Sequence, residues 1–365
     1  MIEMSSDASG HGARQPSTWL SVLVPAHNAE PYLEECLGSI VSNVRQLPED
    51  AASAIEILAL DDASTDGSRR IIEEFRSRFP ETISIIEQAR SDGVSAARNS
   101  LIAQAQGDYI WFIDADDVMA PGAMVGLFDA VSRGGPDYIM CDYATFSNEP
   151  AAGSERVRKP TFKGPSNVLF EDRSAALSGL FEMGALHPWS KIHRRSLYAN
   201  TLTFPLGRIY EDVLVMPLLA ARAQSFFHVP QTWVLHRKHP GSLIGSKSVK
   251  IAEDKCFALV TLAAQLEKEG DHLSRGSRSA FHYFMGRHLR VVFKQLVRSD
   301  DPERAKETYR TCSMILNSAP VSIEGRVRTS LIRRGRLGKL AGLILWRRRA
   351  QKRFTSHGRF EPPKH

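Results

Sequence analysis

Three apolar segments in the first third of the chain each run directly into acidic or turn residues: LSVLVPAHN, AIEILALDDASTDGS and GDYIWFIDADD. A short apolar run without polar alternation predicts a strand that is buried on both faces, so polar side chains reach solvent at its carboxyl end. In an open parallel sheet that edge forms the ligand crevice. We therefore expect the following aspartates to gather there: Asp61, Asp62, Asp114, Asp116 and Asp117. Because neighbouring carboxylates repel one another, the cluster favours a cation, most simply a divalent metal with a phosphate ligand.

Strand and helix patterns alternate along the first 145 residues, which predicts an α/β sandwich. The strands are expected at 21–24, 55–60, 83–87, 109–113 and 137–143. Asn28 is expected to cap the first helix, with Pro31 in its first turn. Residues 148–168 are rich in Pro, Gly, Ser and charge, which indicates a loop or boundary. Helices are predicted beyond it at 174–182, 211–222, 251–269 and 279–297, and Pro217 is expected to kink or shorten the second of these.

Composition places the chain among ordinary globular proteins. It has 365 residues, of which 42% are hydrophobic and 24% charged, so about two domains are expected. The four cysteines are far apart in the sequence, which favours neither a zinc cluster nor a disulfide framework and fits a reducing cytosol. The first 18 residues are polar and small, and no long uncharged apolar window follows. These features predict a cytoplasmic protein that is neither exported nor membrane-spanning.

The aspartates after the fourth predicted strand are candidate metal ligands. The chain has neither GxGxxG nor GxxxxGK[ST], so a phosphate loop is not expected to hold a diphosphate. Alternate carboxylates after a buried strand, here Asp114 and Asp116, can present two oxygens to one Mg²⁺ or Mn²⁺ whose other ligands are phosphates and water. Taken alone, the pattern is more typical of a solvated turn before the next helix.

Five ordered blocks together resemble the inverting family 2 glycosyltransferases, nucleotide-sugar enzymes with the GT-A fold. The blocks, spread over about residues 19 to 240, are VLVPAHNAEPYLEECLGSI, LDDASTDGS, DGVSAARN, GDYIWFIDADD and the pair Glu211-Asp212. The resemblance implies a Rossmann-like core, with a mostly parallel sheet flanked by helices, and a helical C-terminal extension. The implied divisions are a disordered tail (1–18), a GT-A domain (19–245), a helical extension (246–322) and a basic amphipathic segment (323–365). Within the GT-A domain, 19–145 is the nucleotide-binding half and 146–245 the acceptor half.

Matching positions imply roles for residues in the nucleotide-binding half. Pro25, His27, Asn28 and Asp62 are implied to bind the nucleotide, with Asp62 accepting a hydrogen bond from the uracil imide. A rigidly held carboxylate suits that ring N–H independently. Family members commonly carry an aromatic residue where this chain has His27, although imidazole can also stack.

The resemblance also implies which residues bind the donor's diphosphate and the metal ion. Asp116, assisted by Asp114, is implied to bind Mn²⁺ or Mg²⁺, with Asp117 as a third member. Arg98 lies near the nucleotide in the family, and its guanidinium would suit a diphosphate or pair with one of the clustered aspartates.

Candidate acceptor residues lie in the second half of the chain. An inverting transfer needs a base for the acceptor hydroxyl, and the family pattern gives that role to the second acid of the pair, Asp212, with Glu211 beside it. Both acids would also stabilise the first turn of a helix. Trp189 and Lys191 match a block near the sugar and the acceptor, with a core position as the alternative for Trp189.

Two weaker patterns follow the last predicted core strand. Arg237, with His239 and Ser242, matches a loop that closes over the diphosphate. Three histidines could together form a metal site: His228, His236 and His239. The preferred interpretation is that they are surface histidines, because no supporting acid lies at a useful spacing.

The C-terminal segment carries the positive charge of the chain. Residues 325–353 hold eleven Lys or Arg and no acid, which leaves a net charge of −5 elsewhere. One helical face is expected to present four apolar residues: Leu337, Leu340, Ile344 and Leu345. This pattern favours an interfacial helix on an anionic cytoplasmic leaflet, with Trp346 at headgroup depth. A helix packed on the catalytic domain is the alternative. Nucleic acid is a disfavoured partner because no aromatic stacking pattern accompanies the charge.

The sequence thus predicts a metal-dependent inverting glycosyltransferase that uses a nucleotide-sugar, with a UDP-sugar as the expected donor. The expected acceptor is a glycan or lipid-linked molecule in cell-surface polysaccharide synthesis, reached from the cytoplasm with peripheral docking on the inner face of the plasma membrane. One alternative is a nucleotidyltransferase on a related fold. The other is a degenerate nucleotide-sugar-binding protein or membrane-associated scaffold.

Overall fold

A computed structural model describes residues 18–147, 157–199, 201–239, 249–268, 273–317 and 323–355 of the chain. The strands are β1 (Leu20–Ala26), β2 (Ile55–Asp61), β3 (Ile83–Glu87), β4 (Tyr109–Phe112), β5 (Val118–Met119), β6 (Tyr138–Phe146), β7 (Arg158–Lys159), β8 (Leu169–Phe170), β9 (Lys191–Arg194) and β10 (Phe226–Arg237). The helices are α1 (Glu30–Val44), α2 (Glu49–Ser53), α3 (Ser68–Arg78), α4 (Val94–Gln104), α5 (Ala123–Ser132), α6 (Arg173–Met183), α7 (Glu211–Arg222), α8 (Val249–Lys268), α9 (Arg275–Val297), α10 (Pro302–Asn317), α11 (Ile323–Arg333) and α12 (Leu337–Thr355). Residues 1–17 of the expected disordered tail lie outside the described residues.

The strands form one mixed sheet of ten strands in the order β3-β2-β1-β4-β9-β6-β10-β5, with β7 paired to β6 and β8 to β10. Strands β3, β2, β1 and β4 are parallel neighbours. Strand β9 then runs antiparallel to both β4 and β6, and β10 runs parallel to β6. The predicted parallel α/β half is confirmed, and it brings the carboxyl ends of β1, β2 and β4 to the same edge.

Both faces of the sheet are covered, as the unbroken apolar strands predict. Along β1, Val22 and Val24 belong to one core cluster, with Leu33 of α1, whereas Leu23 belongs to the other, with Leu101 of α4. Successive side chains of a strand point to opposite faces. Helices therefore pack on both faces of β1, and the polar residues His27 and Asn28 that directly follow this strand are exposed.

The C-terminal helices share a hydrophobic core with the sheet domain. Leu259 of α8 and Phe284 of α9 lie in the same cluster as Leu180 of α6 and Leu214 of α7. The direct contacts run between α7 and α8 and between α6 and α9. The extension is thus attached directly behind α7, the helix that carries the predicted base. Among the described helices, none has the length and apolar character needed to cross a membrane.

Two local predictions are corrected. Helix α7 continues to Arg222 with Pro217 inside it, so of the two effects expected of this proline the shortening is wrong. Nearly every residue around that proline is buried, and this packing offsets the lost hydrogen bond. Asn28 does not cap α1, because Ala29 occupies the N-cap position and the Asn28 amide oxygen instead accepts a hydrogen bond from the Thr65 N–H at 2.8 Å.

The C-terminal helix is packed on the protein, as the alternative interpretation of the basic segment expected. Leu343, Ala350 and Phe354 of α12 are buried, and Leu340 and Trp346 pack against the main core cluster. The expectation that Trp346 lies at headgroup depth on an interfacial face is therefore wrong. Its indole contacts the guanidinium of Arg298, 5.2 Å from the ring centroid. Leu337 and Leu345 remain exposed.

Candidate active site

Three aspartates follow β4 in a tight turn at the predicted edge of the sheet. Carboxylate oxygens of Asp114, Asp116 and Asp117 lie within 4.8 Å of one another. The Asp117 N–H donates to the Asp114 carbonyl at 3.0 Å, which closes the turn. Asp114 and Asp116 are partly exposed, whereas Asp117 is buried. Such close, accessible oxygens suit a hard divalent cation such as Mg²⁺ or Mn²⁺.

Each of these carboxylates also has a cationic or N–H partner from a distant part of the chain. His239 Nε2 lies 2.9 Å from Asp116 Oδ2, and His236 Nδ1 lies 3.0 Å from Asp117 Oδ1. Burial raises the pKa of Asp117 to about 6, while His236 opposes the rise. Burial disfavours the His236 cation, yet the Asp117 carboxylate raises the pKa of that imidazole above its ordinary value. Proton sharing in this pair reduces the repulsion within the cluster.

Arg98 joins the acid cluster to the start of α7. Its Nη2 lies 3.0 Å from Asp114 Oδ1, its Nη1 pairs with Glu211, and the guanidinium lies 5.7 and 5.5 Å from the ring centroids of Phe112 and Phe204. The residue is only 4% exposed. Burial opposes its charge, but Asp114 and Glu211 raise the pKa of Arg98 above its ordinary value. The guanidinium pairs with the acids, which is the second of the two roles that the sequence left open.

Asp212 lies beside this bridge in the first turn of α7. Its Oδ1 accepts a hydrogen bond from the Val213 N–H at 2.8 Å, and its side chain is partly exposed. Burial and the neighbouring Glu211 raise the pKa of Asp212 to about 7, while Arg98 opposes the rise. Asp212 interacts electrostatically with Glu211, Arg98, Asp114, Lys191 and Lys255. A carboxylate that titrates near neutrality is matched to general-base work.

The raised pKa predicts that Asp212 destabilises the fold at alkaline pH. An unfolded aspartate has a pKa of 3.8, against about 7 in the folded protein. The penalty therefore begins above pH 3.8 and is complete above pH 7. We expect Asp212→Asn to raise the free energy of unfolding of the ligand-free protein at pH 8 by about 1–3 kcal/mol, a value reduced for partial exposure. Urea unfolding at pH 5 and pH 8 measures this, and a gain no larger at pH 8 than at pH 5 contradicts it.

Helix α8 holds the loop that precedes α7. Asp254 is buried, and its carboxylate receives Arg208 Nη1 at 2.8 Å and the Ile209 N–H at 3.2 Å. The next residue, Tyr210, has a positive φ of 66°, and the Lys255 ammonium lies 4.2 Å from its ring centroid. Tyrosine rarely adopts this left-handed backbone conformation, and these contacts hold Tyr210 in it. The extension thus fixes the backbone directly before Glu211 and Asp212.

Removal of this clamp is expected to release the loop. Asp254→Ala leaves the Ile209 N–H without its acceptor and Arg208 with only the longer contact to Glu253. We expect a loss of about 2–4 kcal/mol in the free energy of unfolding. Hydrogen exchange at 206–210 should accelerate more than in the rest of the sheet domain. The control is Glu253→Gln, since Glu253 is more exposed and lies 3.4 Å from the same arginine. Equal exchange rates at 206–210 in the two variants would show that Asp254 does not hold the loop.

Trp189 and Lys191 lie inside the domain. Trp189 is 2% exposed and stacks on His187 and His236, with ring centroids 4.6 and 5.5 Å away. The expectation of an open indole face for a sugar is therefore corrected in favour of the core alternative. Burial lowers the pKa of Lys191 to about 8, and its Nζ donates to Ser190 Oγ at 2.7 Å. The rings of His187 and His236 on this stack are both partly exposed. Sequence reasoning missed His187, although it directly precedes Pro188 and Trp189.

The predicted nucleotide residues come together at the ends of β1 and β2. The His27 Nδ1–H donates to the Asp62 carbonyl at 2.7 Å, which leaves Nε2 to accept from the Asn28 amide at 3.2 Å. The Asp62 carboxylate accepts from Ser91 Oγ at 2.8 Å and from the Asp92 N–H at 3.3 Å. Pro25 lies in β1, in register with Leu60 of β2. Asp61 ends β2 and Asp62 follows it, but among the described residues neither belongs to the close group of three aspartates.

Arg237 faces inward, contrary to the expectation that it closes over a diphosphate. It is 1% exposed, its Nε donates to the Asp116 carbonyl at 2.8 Å, and its Nη2 lies 2.5 Å from Glu35 Oε2. Arg237 therefore stabilises the acidic turn through the backbone carbonyl of Asp116. Ser242, its expected companion, lies outside the described residues. The described part of the chain shows no three-histidine group, because His228 pairs with Asp142 while His236 and His239 serve the acidic turn.

Comparisons with known proteins find similarity to glycosyltransferases. The family model "Glycosyl transferase family 2" matches residues 21–182. The chain is 26% identical over 226 residues to the glycosyltransferase GlyA of Streptococcus pneumoniae serotype 4, covering 61% of this chain and 31% of GlyA. It is 28% identical over 258 residues to the putative glycosyltransferase EpsH of Bacillus subtilis (strain 168), covering 68% and 69%. The chain thus spans about a third of the length of GlyA and about two thirds of that of EpsH.

A solved structure shows the same fold. The structure of S. aureus TarS 1–349 in complex with UDP-GlcNAc matches with a TM-score of 0.68 and 18% identity, covering 94% of each chain. The similarity therefore includes the C-terminal helices as well as the sheet domain. The predicted GT-A fold with a helical C-terminal region is confirmed.

Proposed function

The chain belongs to glycosyl transferase family 2, and from that membership we propose that it is a metal-assisted, inverting glycosyltransferase with a UDP-sugar donor. The observation that carries the proposal is the arrangement of the acidic turn and the start of α7. One buried arginine, Arg98, binds both Asp114 and Glu211, which links the acidic turn to the start of α7, where Asp212 follows Glu211. Sugar transfer needs one site that holds the donor diphosphate and a second group that takes the proton of the acceptor hydroxyl. The acidic turn and the start of α7 are the candidates for these two roles.

Asp212 is the proposed general base. Its carboxylate takes the proton of the acceptor hydroxyl while that oxygen attacks the anomeric carbon, and the bond from that carbon to the diphosphate breaks. The nucleoside diphosphate leaves from the opposite face, so the configuration inverts. The pKa of about 7 leaves the carboxylate form available near neutral pH while keeping it basic enough to accept a proton.

Asp114 and Asp116 are the proposed ligands of Mn²⁺ or Mg²⁺. Their side chains are accessible at the turn, and their closely placed oxygens are the donor type that such ions prefer. When bound, the ion neutralises negative charge on the diphosphate. His236 and the Arg237 N–H hold Asp117, which we assign to support of the turn.

The UDP assignment rests on the Asp62 region and on a relative. The proposed site for the uracil ring lies at the adjoining ends of β1 and β2, with Pro25, His27, Asn28 and Asp62. TarS, which shares the fold, has been solved with UDP and with UDP-GlcNAc. These features support a hexosyl or N-acetylhexosaminyl donor.

The proposed acceptor is a glycan or lipid-linked molecule of a cell-surface polymer, modified at the cytoplasmic side. Two relatives support this class. One is a poly(ribitol-phosphate) beta-glucosyltransferase of Bacillus spizizenii, 33% identical over 106 residues, and the other is the minor teichoic acid biosynthesis protein GgaA of Bacillus subtilis, 24% identical over 223 residues.

Product analysis tests the proposal. The full chain is incubated with Mn²⁺, a panel of UDP-hexoses and UDP-N-acetylhexosamines, and a cell-envelope fraction as acceptor. We expect UDP to be released with its diphosphate intact and the sugar to enter the envelope fraction. A parallel incubation with UTP and sugar 1-phosphates tests the alternative, because release of pyrophosphate from UTP would identify a nucleotidyltransferase. A folded protein that releases neither product from any donor would favour the non-catalytic scaffold.

A further inference from the structure

The last two helices, α11 and α12, have opposite faces of different character. Their inner faces are apolar and buried, with Val327 and Leu331 in α11 and Leu343, Ala350 and Phe354 in α12. Residues 325–353 contain eleven Lys or Arg and no acid. Since the apolar inner faces pack on the protein, much of this charge is left on the outer faces.

Some of the cations attach these helices to the protein. Arg326 pairs with Glu267 at 2.6 Å, Arg334 pairs with Glu182, and Lys339 donates to the Tyr283 hydroxyl. The partners lie on α8, α6 and α9. These contacts explain why the basic segment is ordered and oriented, but they use only part of its charge.

The remaining outer surface combines arginines with large exposed apolar side chains. Ile332 is 56% exposed, Leu337 62% and Leu345 46%. Four exposed arginines lie nearby in sequence, and no carboxylate in the described ranges is within ion-pair distance of them: Arg328, Arg333, Arg336 and Arg348. We call these seven residues the basic-apolar face.

Helical spacing supports treating the α12 part of this face as one stripe. Leu337, Ala341, Leu345, Arg348 and Lys352 are all exposed and follow one another at intervals of three or four residues. The first half of the stripe is apolar and the second half is basic. Of the residues that the sequence assigned to a membrane face, Leu337 and Leu345 lie on this stripe, whereas Leu340 and Trp346 pack against the main core cluster.

We propose that the basic-apolar face docks on an anionic lipid leaflet. Arginines attract anionic headgroups, and exposed Leu and Ile side chains can enter the boundary between headgroups and acyl chains. Charge complementarity is strong because the segment has no acid. A single-stranded nucleic acid would call for exposed aromatic rings for base stacking, whereas the two aromatic side chains of α12, Trp346 and Phe354, belong to the main core cluster or pack against it.

The proposal does not depend on the proposed sugar transfer, because it concerns a surface on the helical extension. It adds a location for the protein, which is peripheral on a membrane. The basic-apolar face of the packed C-terminal helices makes the contact. The sheet domain and its acidic turn carry none of the residues of this face.

Vesicle sedimentation of the full chain tests the proposal. Vesicles of phosphatidylcholine alone are compared with vesicles containing about one third phosphatidylglycerol. We expect binding to the anionic vesicles and little to the neutral ones, with a loss of binding as NaCl is raised from about 0.1 to 0.5 M, since salt screens surface charge. Equal binding to both vesicle types, or no binding to anionic vesicles at low salt, would overturn the proposal.

Two variants assign the binding to the face. Arg328→Gln/Arg333→Gln/Arg348→Gln should lower the partition coefficient about 100-fold, at about fivefold for each arginine near the surface. Ile332→Ser/Leu337→Ser/Leu345→Ser should lower it at least about tenfold through the lost apolar insertion. All six positions are exposed, so the fold is expected to persist, and circular dichroism and the melting temperature check this.

A matched control removes the same charge elsewhere. Arg76→Gln/Lys163→Gln/Lys250→Gln changes three exposed cations outside the face and should bind vesicles within about threefold of the unmodified chain, as expected from long-range charge alone. An equal loss in the control and the face variants would overturn the assignment. If the face variants lose binding to a duplex DNA probe but keep binding to vesicles, the face is a nucleic-acid site and the proposal fails.

Discussion

Asp212→Asn is expected to lower the rate of sugar transfer by about 10²- to 10⁴-fold, the range that a positioned general base contributes. Asparagine has nearly the same shape but cannot accept the proton of the acceptor hydroxyl. The Asp212 carboxylate is not among the predicted metal ligands, so UDP should bind the variant within about twofold of its affinity for the unmodified protein. Transfer rates with saturating donor, together with a UDP titration, measure both quantities.

The expected gain in stability makes this result easier to interpret. A variant that melts at a higher temperature at pH 8 and still fails to transfer has lost chemistry and not its fold. Asp129→Asn provides the matched control, because it makes the same chemical change on an exposed side chain of α5. Transfer by Asp212→Asn at the rate of this control would remove Asp212 from the mechanism. A fall in UDP affinity equal to the fall in rate would instead place it in the donor site.

Asp116→Asn is expected to abolish the contribution of the metal to donor binding. Because even outer contacts of a metal site cost 10- to 100-fold in affinity, loss of one of its proposed carboxylate ligands should weaken UDP binding in Mn²⁺ by about 100-fold or more. The exposed carboxylate already accepts from His239, so the asparagine can keep part of that contact, and the turn should remain folded. Calorimetric titration of UDP in the presence of Mn²⁺ measures the effect.

Chelation distinguishes a metal effect from a distorted site. In excess chelator, Asp116→Asn and the unmodified chain should bind UDP equally weakly, because neither then has the ion. A difference that persists in chelator at its full size would show that Asp116 acts on the nucleotide without a metal. Asp129→Asn should respond to Mn²⁺ as the unmodified chain does.

The strand pattern allowed the sheet edge to be predicted because the cause is local. Apolar runs that end in acids give strands buried on both faces, and the parallel order of β2, β1 and β4 then brings their carboxyl ends together. The turn from Asp114 to Asp117 follows from the same pattern. Periodicity likewise predicted α6, α8 and α9 to within a few residues at most boundaries.

The partners of the site residues were harder to predict because they come from distant segments. His236 and Asp117 are 119 residues apart, and Arg98 and Glu211 are 113 apart. The clamp of Asp254 on Arg208 requires a helix that lies beyond the matched family region. No local pattern predicts such contacts, since they depend on which helices pack together.

Large amphipathic side chains were the main source of error. Trp189, Arg237 and Trp346 each combine an apolar body with a polar group, so sequence alone allows both an exposed and a packed position. In the structure Trp189 stacks within the core, Arg237 holds the Asp116 carbonyl, and Trp346 packs beside Arg298. Tertiary packing decided each case.

Metal-dependent nucleotide binding by the unmodified chain is the most direct test of the central claim. UDP, GDP and UDP-sugars are titrated into the full chain by calorimetry with Mn²⁺, with Mg²⁺ and with chelator. We predict that UDP and at least one UDP-sugar bind in the presence of a divalent ion, and that chelator removes most of this affinity. A folded protein that binds no nucleotide in any of these conditions would contradict the assignment of a donor site to the acidic turn.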